Sequence, residues 1–193
     1  MQTSNEKTRC PWCLSSPLMI TYHDKEWGTP LHNETRLFEA LIIDGFQAGL
    51  SWSTILNKRE NFRKAFHNFD ATKVAKYGDK DRKRLLSDAG IVRNKMKIDA
   101  AITNAKEFLK IQKEFGSFDK YLWSFVNGKP VINNFKEDKK VPASTPLSDR
   151  ISKDLKNRGM RFVGTTIIYA FLQGVGTVND HITSCFRHKE LLN

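Results

Sequence analysis

Long apolar runs, cysteines and acidic side chains are all scarce in this chain of 193 residues. No apolar run approaches the roughly 18 residues that a membrane span needs, and Met1 to Arg9 is too polar for a signal peptide. We therefore expect a cytoplasmic protein without a membrane segment. In a reducing compartment, the three cysteines predict free thiols or metal ligands rather than disulfides.

The shortage of acidic residues leaves a large positive charge. Lysine and arginine number 32 against 21 aspartates and glutamates, which gives a formal net charge of +11. An excess of this size favours a polyanionic partner, first nucleic acid and second a membrane surface, with a generically basic protein as the alternative. The length suits one domain over residues 1–193, which we expect to be a monomer.

Alternating strand patterns are absent as well. Helical spacing of apolar residues dominates the chain, so the sequence predicts an all-α fold. Residues 1–9 are expected to be flexible, residues 10–30 irregular, and residues 127–144 a loop. Helices are predicted at about 33–43, 52–66, 98–109, 117–126, 146–157 and 165–172, with Asp70 and Asp79 as N-caps of two short helices.

The stretch 38–52 combines an apolar helix face with features of a binding site. Asp44 ends the apolar face, Gly45 and Gly49 bracket a predicted bend, and Trp52 follows. A buried acid beside a bend and a flat aromatic ring predicts a pocket. A helix that ends in a solvated aspartate, with Trp52 packed in the core, is an equal alternative on these residues alone.

Two cysteines and two histidines near the chain ends form a candidate metal site. They are Cys10, His23, His181 and Cys185. The His-x3-Cys spacing places the second pair on one face of a helical turn, and two sulfurs with two imidazoles suit a structural, tetrahedral zinc ion. Because the spacing is not that of a zinc finger, and Cys10-x-x-Cys13 is itself ligand-like, the residues alone leave the ligand set open.

The segment from Arg158 to Gly164 is a short link between two predicted helices. A glycine-permitted turn followed by a helix N-terminus can bind a phosphate, so Gly159, Arg161, Gly164 and Thr165 are candidate DNA-binding residues. A plain corner between two helices is the alternative.

Several motifs occur in an order that resembles the DNA-3-methyladenine glycosylase I family of the helix-hairpin-helix glycosylase superfamily. The resemblance covers nearly the whole chain, from about Arg9 to Cys185. The motifs are Cys10-Pro11-Trp12, Tyr22-His23-Asp24-Lys25-Glu26-Trp27-Gly28, Gln47-Ala48-Gly49-Leu50-Ser51-Trp52, Lys58-Arg59-Glu60-Asn61, Trp123-Ser124-Phe125-Val126-Asn127-Gly128, Phe162-Val163-Gly164-Thr165-Thr166 and Val178-Asn179-Asp180-His181.

The resemblance implies a monofunctional enzyme of base-excision repair that flips 3-methyladenine out of alkylated double-stranded DNA and releases it. It implies a helix-hairpin-helix bundle whose N- and C-terminal segments are joined by zinc on Cys10, His23, His181 and Cys185. The superfamily's catalytic aspartate has no counterpart, since Asn179 stands at about its place. No lysine with a lyase role is evident.

The same resemblance implies roles for the aromatic and acidic candidates. Tyr22 and Trp52 correspond to pocket walls, while Asp44, the candidate catalytic residue, recognises the charge of the base rather than donating a proton. Trp12 and Trp27 are candidates for the pocket rim, with packing around the metal as their alternative. Gly49 and Leu50 resemble the part of the family that contacts the gap left in the duplex.

Two residues depart from the family pattern. Family members commonly have glutamate at Asp44, and a polar side chain at Phe46, which we expect to close the pocket or to add a stacking face. These departures leave two alternatives open. One is a glycosylase of the same fold with another alkylated-base preference, and the other is a non-catalytic, zinc-stabilised DNA-binding module.

Overall fold

The computed structural model describes residues 7–192, and most of this range is helical. None of its helices is long and apolar enough to cross a membrane. The helices in chain order are α1 (Pro17–Lys25), α2 (Glu34–Gln47), α3 (Trp52–Ala65), α4 (Ala71–Val74), α5 (Asp79–Ser87), α6 (Lys95–Phe115), α7 (Phe118–Ser124), α8 (Pro146–Asn157), α9 (Thr165–Gly174) and α10 (Phe186–Glu190). Short 3-10 turns lie at Pro11–Ser15, His67–Phe69 and Asp138–Lys140.

Polar side chains at the helix starts explain most of the helix boundaries. Asn33, Ser51 and Thr145 each accept a hydrogen bond from a backbone N–H in the first turn of the following helix. Asp70 caps α4 in the same way, as the sequence predicts. The prediction for Asp79 is wrong by one residue, because Gly78 is the N-cap and the Asp81 side chain accepts the Gly78 N–H.

Two predictions for the N-terminal third need correction. Residues 10–30 are not irregular, since Pro11–Ser15 forms a 3-10 turn and Ser16 caps α1. Residues 1–9 are predicted to be flexible. Residues 1–6 lie outside the described residues, whereas the structure describes residues 7–9. Among these, Arg9 is fixed by a double hydrogen bond from its Nε to Asp24 at 3.0 Å.

A small parallel β-pair amends the all-α prediction. Strand β1 (Val131–Ile132) pairs with β2 (Val178–Asn179), with Val131 opposite Val178. The region 127–144 is therefore anchored rather than a simple loop, and the Thr183 N–H also donates to the Phe135 carbonyl at 2.8 Å. The strands are too short to show the alternation by which strands are found in a sequence.

Helix α2 is the centre of the fold. It contacts α3, α6, α7 and α9, and nine of its fourteen residues are buried. The predicted helix of 33–43 continues to Gln47, so Asp44, Gly45 and Phe46 lie inside the helix and the bend comes only at Gly49 (φ +77°). Gly45 faces Phe162, whose Cβ would lie 3.5 Å from a Cβ at this position. This is ordinary van der Waals contact, so Gly45 marks neither a turn nor a close approach that excludes a side chain.

Candidate functional site

A cavity of about 310 Å³ lies between α1, α2, α3 and α9. Its volume is in the range of pockets that hold small organic molecules. It brings together five of the six base-binding candidates from the sequence and adds seven residues that the sequence did not indicate. The lining residues are Trp12, Met19, Tyr22, Trp27, Asp44, Gln47, Trp52, Asp138, Val141, Ala170, Gln173 and Asp180.

Asp44 presents a buried carboxyl group to this cavity. The residue is 6% exposed, and no side chain or backbone group among residues 7–192 hydrogen-bonds to its carboxyl. Burial raises the pKa of Asp44 to about 8. Burial favours the uncharged form, and a cation that entered the cavity would favour the carboxylate. Asp44 is therefore a polar group without a protein partner.

Aromatic rings form the walls beside Asp44. The Tyr22 and Trp52 rings lie 5.2 Å apart between centroids, and Trp12 meets Trp27 edge-on at 5.0 Å. Burial raises the pKa of Tyr22 well above its usual value, so its hydroxyl is a neutral hydrogen-bonding group. The buried Trp52 Nε1–H finds no acceptor within the described residues. The walls provide flat apolar faces that suit a planar ring.

Phe46 does not line this cavity. Its side chain packs in the core, with its ring centroid 4.8 Å from that of Phe62. Because α2 continues through this position, residues 44 and 47 share one face and residue 46 points to another. Gln47 occupies the place in the lining that the sequence interpretation assigned to Phe46.

Two further carboxylates line the cavity, and the sequence interpretation missed both. The Asp138 Oδ2 accepts the Trp12 N–H at 3.1 Å. Asp180 is 1% exposed and accepts hydrogen bonds from Tyr169, Gln173 and Asn133. Asp180 stands between Asn179 and His181, which are interpreted individually from the sequence, but no role is assigned there to Asp180. Asp138 lies in the region predicted to be a loop, where periodicity gives no information.

The four candidate metal ligands meet at one buried point. The ligand atoms of Cys10, His23, His181 and Cys185 all lie within 4.8 Å of one another. The His181 Nδ1 is 3.2 Å from the His23 Nε2 and 3.6 Å from each cysteine sulfur. A hydrogen bond with Cys10 is the first cause of a lowered pKa at Cys185, and bonds with the two histidines follow. This cluster of two cysteines and two histidines could hold a metal ion.

Neighbouring groups orient both histidines toward this cluster. The other ring nitrogen of His23 bonds the Asp24 carboxylate at 2.8 Å, and that of His181 bonds the Trp27 carbonyl at 3.0 Å. Such outer partners are typical of metal-binding histidines. Cys13 is not part of the cluster, and its Sγ donates to the Cys10 carbonyl at 3.1 Å.

Trp12 and Trp27 connect the metal cluster to the cavity. The Trp12 ring lies 5.4 Å from that of His23, and the Trp27 ring lies 4.6 Å from that of His181. Both tryptophans also line the cavity. Both side chains therefore line the cavity and pack around the cluster, and their role in base binding stays a prediction.

The segment between α8 and α9 is a hairpin in which Met160 and Val163 are buried and Gly159 and Arg161 are exposed. Gly159 ends α8 at φ +97°, and the Asn104 amide bonds both the N–H and the carbonyl of Arg161 at 2.8 Å. The Arg161 side chain is exposed and makes no ion pair with a described residue, whereas Arg158 is paired with Glu114 and Asp154. Arg161 is thus the arginine of this hairpin that is available to an anion.

The other candidate DNA-binding residues differ in their surroundings. Gly164 is the N-cap of α9, and the Thr165 hydroxyl donates to Asp149 at 2.6 Å. Gly49 is exposed with open space around it, and Leu50 is 40% exposed although it is a large apolar residue. The buried Lys97 Nζ fixes the turn before Gly49 by donating to the Phe46 and Ala48 carbonyls.

The fold and the cavity first define a class of protein. A buried carboxyl group between aromatic walls is a site for a flat polar ring, and an exposed arginine on a hairpin of a chain of charge +11 suits a nucleic acid. These features belong to a helical protein that handles nucleobases. The sequence pattern of the family described as methyladenine glycosylase matches residues 12–188, so the chain belongs to that family.

Curated and solved relatives resemble almost the entire chain. DNA-3-methyladenine glycosylase 1 of Escherichia coli (strain K12) is 48% identical over 177 residues, which are 92% of this chain and 95% of that protein. A crystal structure of 3-methyladenine DNA glycosylase I matches with a TM-score of 0.90 and 49% identity, covering 93% of this chain and 98% of that one.

A third relative carries information about the ligand. A structure that addresses 3-methyladenine recognition by 3-methyladenine DNA glycosylase I from Staphylococcus aureus matches with a TM-score of 0.89 and 36% identity. The match covers 92% of this chain and 95% of that one.

Proposed function

We propose that this protein hydrolyses the N-glycosidic bond of 3-methyladenine in alkylated duplex DNA, as a monofunctional enzyme of base-excision repair. The main support for the proposal is the cavity, in which the Asp44 carboxyl lies with the Tyr22 and Trp52 rings. This carboxyl has no hydrogen-bond partner among the described residues. The enzyme names of the relatives, at up to 48% identity over nearly the whole chain, support the same reaction.

The cavity suits a flipped base because a base inside a duplex is out of reach of any side chain. Methylation at N3 makes adenine cationic and weakens its glycosidic bond, so no strong acid is needed. A flat cation on an aromatic face gains about 0.5–2 kcal/mol, and a charged hydrogen bond to Asp44 adds about 1.5–3 kcal/mol. Neutral adenine lacks the charge-dependent part of both, and the cavity therefore discriminates by charge.

The lining also supports hydrolysis without a lyase step. A lyase needs an amine that forms a Schiff base with the sugar. None of the described residues that line the cavity is a lysine, and the buried Lys97 is engaged with two backbone carbonyls.

The DNA-binding surface is proposed to be a helix-hairpin-helix unit formed by α8, the hairpin and α9, together with the turn at Gly49 and Leu50. Backbone N–H groups at Gly164 and Thr165 and the Arg161 side chain are placed to bind phosphate. Leu50 is an apolar side chain of a size that can fill the gap left by a flipped nucleotide.

Zinc is the metal that fits the buried cluster best. Two thiolates and two imidazoles form a closed set with no position for substrate, as in structural zinc sites. A tetrahedron with bonds of about 2.0–2.3 Å has edges of about 3.3–3.8 Å. Four of the six separations between ligand atoms, at 3.2–3.6 Å, agree with these edges. When bound, zinc would join the turn Pro11–Ser15 and α1 to residues 178–185.

Substrate preference is tested by incubating the purified protein with duplexes that each carry one modified base. We expect release of 3-methyladenine to exceed release of neutral lesions by at least about tenfold, because only a cation gains the charged contacts. Faster release of another alkylated base would favour the alternative preference suggested by the short Asp44 side chain. Binding without release from any duplex would contradict the proposal.

The raised pKa of Asp44 predicts opposite effects of pH on activity and on stability. Since kcat/KM reports the free enzyme, kcat/KM for the permanently cationic lesion should rise with pH until about pH 8. The folded-state pKa lies above the unfolded value of 3.8, so the contribution of Asp44 to stability is present below pH 3.8 and is lost as pH rises through about 8.

The Asp44→Asn variant checks this pair of effects. It should show a flat kcat/KM profile between pH 6 and 9, and its melting temperature relative to the wild type should increase over the same range. An Asp99→Asn variant serves as the control, because this half-buried carboxylate on α6 is paired with Lys95 and Arg82, which lower its pKa, so it does not titrate in this range. Identical pH dependences for Asp44→Asn and the wild type would show that Asp44 does not titrate in this way.

Arg161→Ala is expected to weaken binding to damaged and undamaged duplexes by the same factor. A single phosphate contact contributes about one unit to the slope of log K against log salt. The variant should therefore lower the magnitude of that slope by about one. Arg158→Ala, which removes an arginine engaged in ion pairs, should leave the slope unchanged. A slope that Arg161→Ala does not alter would remove Arg161 from the DNA contact.

A further inference from the structure

We propose that Lys97 and Asn104, two buried polar residues of α6, are positioning residues that hold the two DNA-binding segments ready for one duplex. Lys97 holds the turn that contains Gly49 and Leu50. Asn104 holds the hairpin through Arg161. This inference rests on the proposed glycosylase function and on its DNA-binding surface. Neither Lys97 nor Asn104 lines the cavity, so their role is distinct from base recognition.

Lys97 is a buried lysine without an anionic partner. It is 7% exposed, and none of the ion pairs among residues 7–192 includes it. Its Nζ donates to the Phe46 carbonyl at 2.8 Å and to the Ala48 carbonyl at 2.6 Å. These carbonyls lie at the end of α2, where a helix leaves its last carbonyls without partners and a cation is favourable. Lys97 thus fixes the backbone at the point where α2 ends and the exposed turn begins.

Asn104 makes a similar attachment to the hairpin between α8 and α9. It is 3% exposed, and its Nδ2 donates to the Arg161 carbonyl while its Oδ1 accepts the Arg161 N–H, both at 2.8 Å. The next residue, Phe162, has φ +54°, a left-handed conformation that is unfavourable for any residue other than glycine. Because the local sequence does not favour this conformation, contacts from elsewhere must maintain it, and the Asn104 bonds lie directly beside it.

Both attachments are made by one face of α6. Lys97 and Asn104 are seven residues apart, which places them on the same side of the helix and about 10 Å apart along its axis. Ala100 and Ala101 lie between them, and their small side chains line a narrow space shared with Phe162 and the last turns of α2. A single helix therefore contacts both DNA-binding segments and fixes the distance between them.

This arrangement suits DNA binding better than it suits stability alone. A buried ammonium group and a buried amide are costly to desolvate, and an apolar helix face would pack there without that penalty. The segments that they hold are exposed at Leu50 and Arg161. A segment that is fixed before binding loses less conformational freedom when DNA arrives, so its affinity for DNA is higher. We therefore expect each polar residue to affect the DNA contact that its own segment makes.

Duplex binding separates the two roles. Affinity is measured for an undamaged duplex and for a duplex with a tetrahydrofuran abasic site. The wild type should prefer the abasic duplex by at least about tenfold, because Leu50 can fill the space that the missing base leaves. Lys97→Met should lose most of this preference. Asn104→Leu should keep it and weaken binding to both duplexes by about fivefold or more, as the loss of a phosphate contact does.

Double variants test whether each residue acts through its own segment. If Lys97 acts through Leu50, adding Lys97→Met to Leu50→Ala should not lower the abasic preference further. Adding Asn104→Leu to Arg161→Ala should likewise not weaken binding further. The effects of Lys97→Met and Arg161→Ala should be additive, because they concern different segments. Full additivity within either of the first two pairs would contradict the inference.

Two substitutions on the same helix serve as matched controls. Lys110→Met removes an exposed lysine that pairs with Glu107. Thr103→Val removes a hydroxyl that donates to the Asp99 carbonyl within α6. Both variants should match the wild type in their affinity for each duplex and in their preference for the abasic site.

Binding of free 3-methyladenine shows whether the cavity is intact in the variants. The fluorescence of the tryptophans that line the cavity reports this binding, and Lys97 and Asn104 lie outside the lining. Lys97→Met and Asn104→Leu should bind the free base as tightly as the wild type does. A merely structural role would weaken the binding of the free base and of both duplexes together.

Hydrogen exchange of the wild type provides a measurement that needs no variant to fold. The Arg161 N–H is bonded to Asn104 in the free protein, whereas the Phe162 N–H has no acceptor among the described residues. The Arg161 amide should therefore exchange at least about tenfold more slowly than the Phe162 amide before any DNA is added.

Three results would overturn the inference. The first is an Arg161 amide that exchanges as fast as that of Phe162 in the free wild type. The second is a wild type without abasic preference, or a Lys97→Met or Asn104→Leu variant that binds both duplexes as the wild type does. The third is loss of free-base binding in step with loss of duplex binding. If the wild type released no methylated base, the proposed function would fail, while the duplex measurements would still test both residues.

Discussion

Trp52→Ala is expected to reduce the rate of base release by about 100-fold or more under single-turnover conditions. The substitution removes the ring that lies 5.2 Å from Tyr22, and with it the stacking face for the flipped base. A factor of about 100 corresponds to about 2.7 kcal/mol, to which the cation–aromatic attraction contributes up to about 2 kcal/mol and the lost apolar contact contributes the rest. The rate is measured as free 3-methyladenine released from an alkylated duplex with enzyme in excess.

Trp52→Phe separates stacking from folding. Phenylalanine keeps an aromatic face and removes the buried Nε1–H that has no acceptor among the described residues, so the folded state should not lose stability. We expect this variant to retain at least about a tenth of the wild-type rate. Comparable rates for Trp52→Ala and the wild type, with both proteins folded, would exclude Trp52 from the base site.

Cys10→Ser is expected to lower the melting temperature by at least about 10 °C and to abolish stoichiometric metal binding. Structural zinc contributes on the order of 10 kcal/mol to the folding of small zinc domains, and a chain with a large core of its own should lose less. A loss of about 3 kcal/mol lowers the melting temperature of a protein of this size by about 10 °C. Thermal unfolding and metal analysis of the purified variant provide the measurement.

Cys13→Ser is the matched control for this experiment. Cys13 is buried three residues from Cys10, but it is not part of the ligand cluster, and a serine hydroxyl can also donate to the Cys10 carbonyl. Its metal content should equal that of the wild type. Equal melting temperatures for Cys10→Ser and Cys13→Ser, with metal retained in both, would contradict the assignment of the four ligands.

The residues of the metal cluster were predictable because their chemistry is visible in the residue types, whereas the role of the hairpin in DNA binding stays a prediction. Cys10, His23, His181 and Cys185 form a donor set whose preferred geometry is known. The Asp24 and Trp27 partners that orient the histidines were not predictable, since only the folded chain brings a carboxylate and a backbone carbonyl to the outer ring nitrogens.

The cavity was predicted only in part, and the errors have one physical origin. The sequence predicts that a bend begins at Gly45, but α2 continues through this residue, and a Cβ here would make only ordinary van der Waals contact with Phe162. Because α2 continues, the Phe46 side chain packs in the core and the Gln47 side chain lines the cavity. A glycine in a sequence permits a bend without requiring one, so its position alone does not fix where a helix ends.

Asp138 and Asp180, which also line the cavity, could not be predicted from the sequence for a different reason. Asp180 reaches it through a two-residue strand pair that joins distant parts of the chain, and Asp138 reaches it through a 3-10 turn. Neither element is long enough to have a period. Residues brought together by such short non-local contacts cannot be found by pattern and spacing.

The most direct test of the base-binding site is a crystal structure of the protein with 3-methyladenine. We predict that the ring stacks on Trp52 and Tyr22, with the Asp44 carboxylate within hydrogen-bonding distance of a ring nitrogen or the exocyclic amine, directly or through one water molecule. A base bound elsewhere, or bound in this cavity with Asp44 facing away from it, would contradict the proposed mechanism.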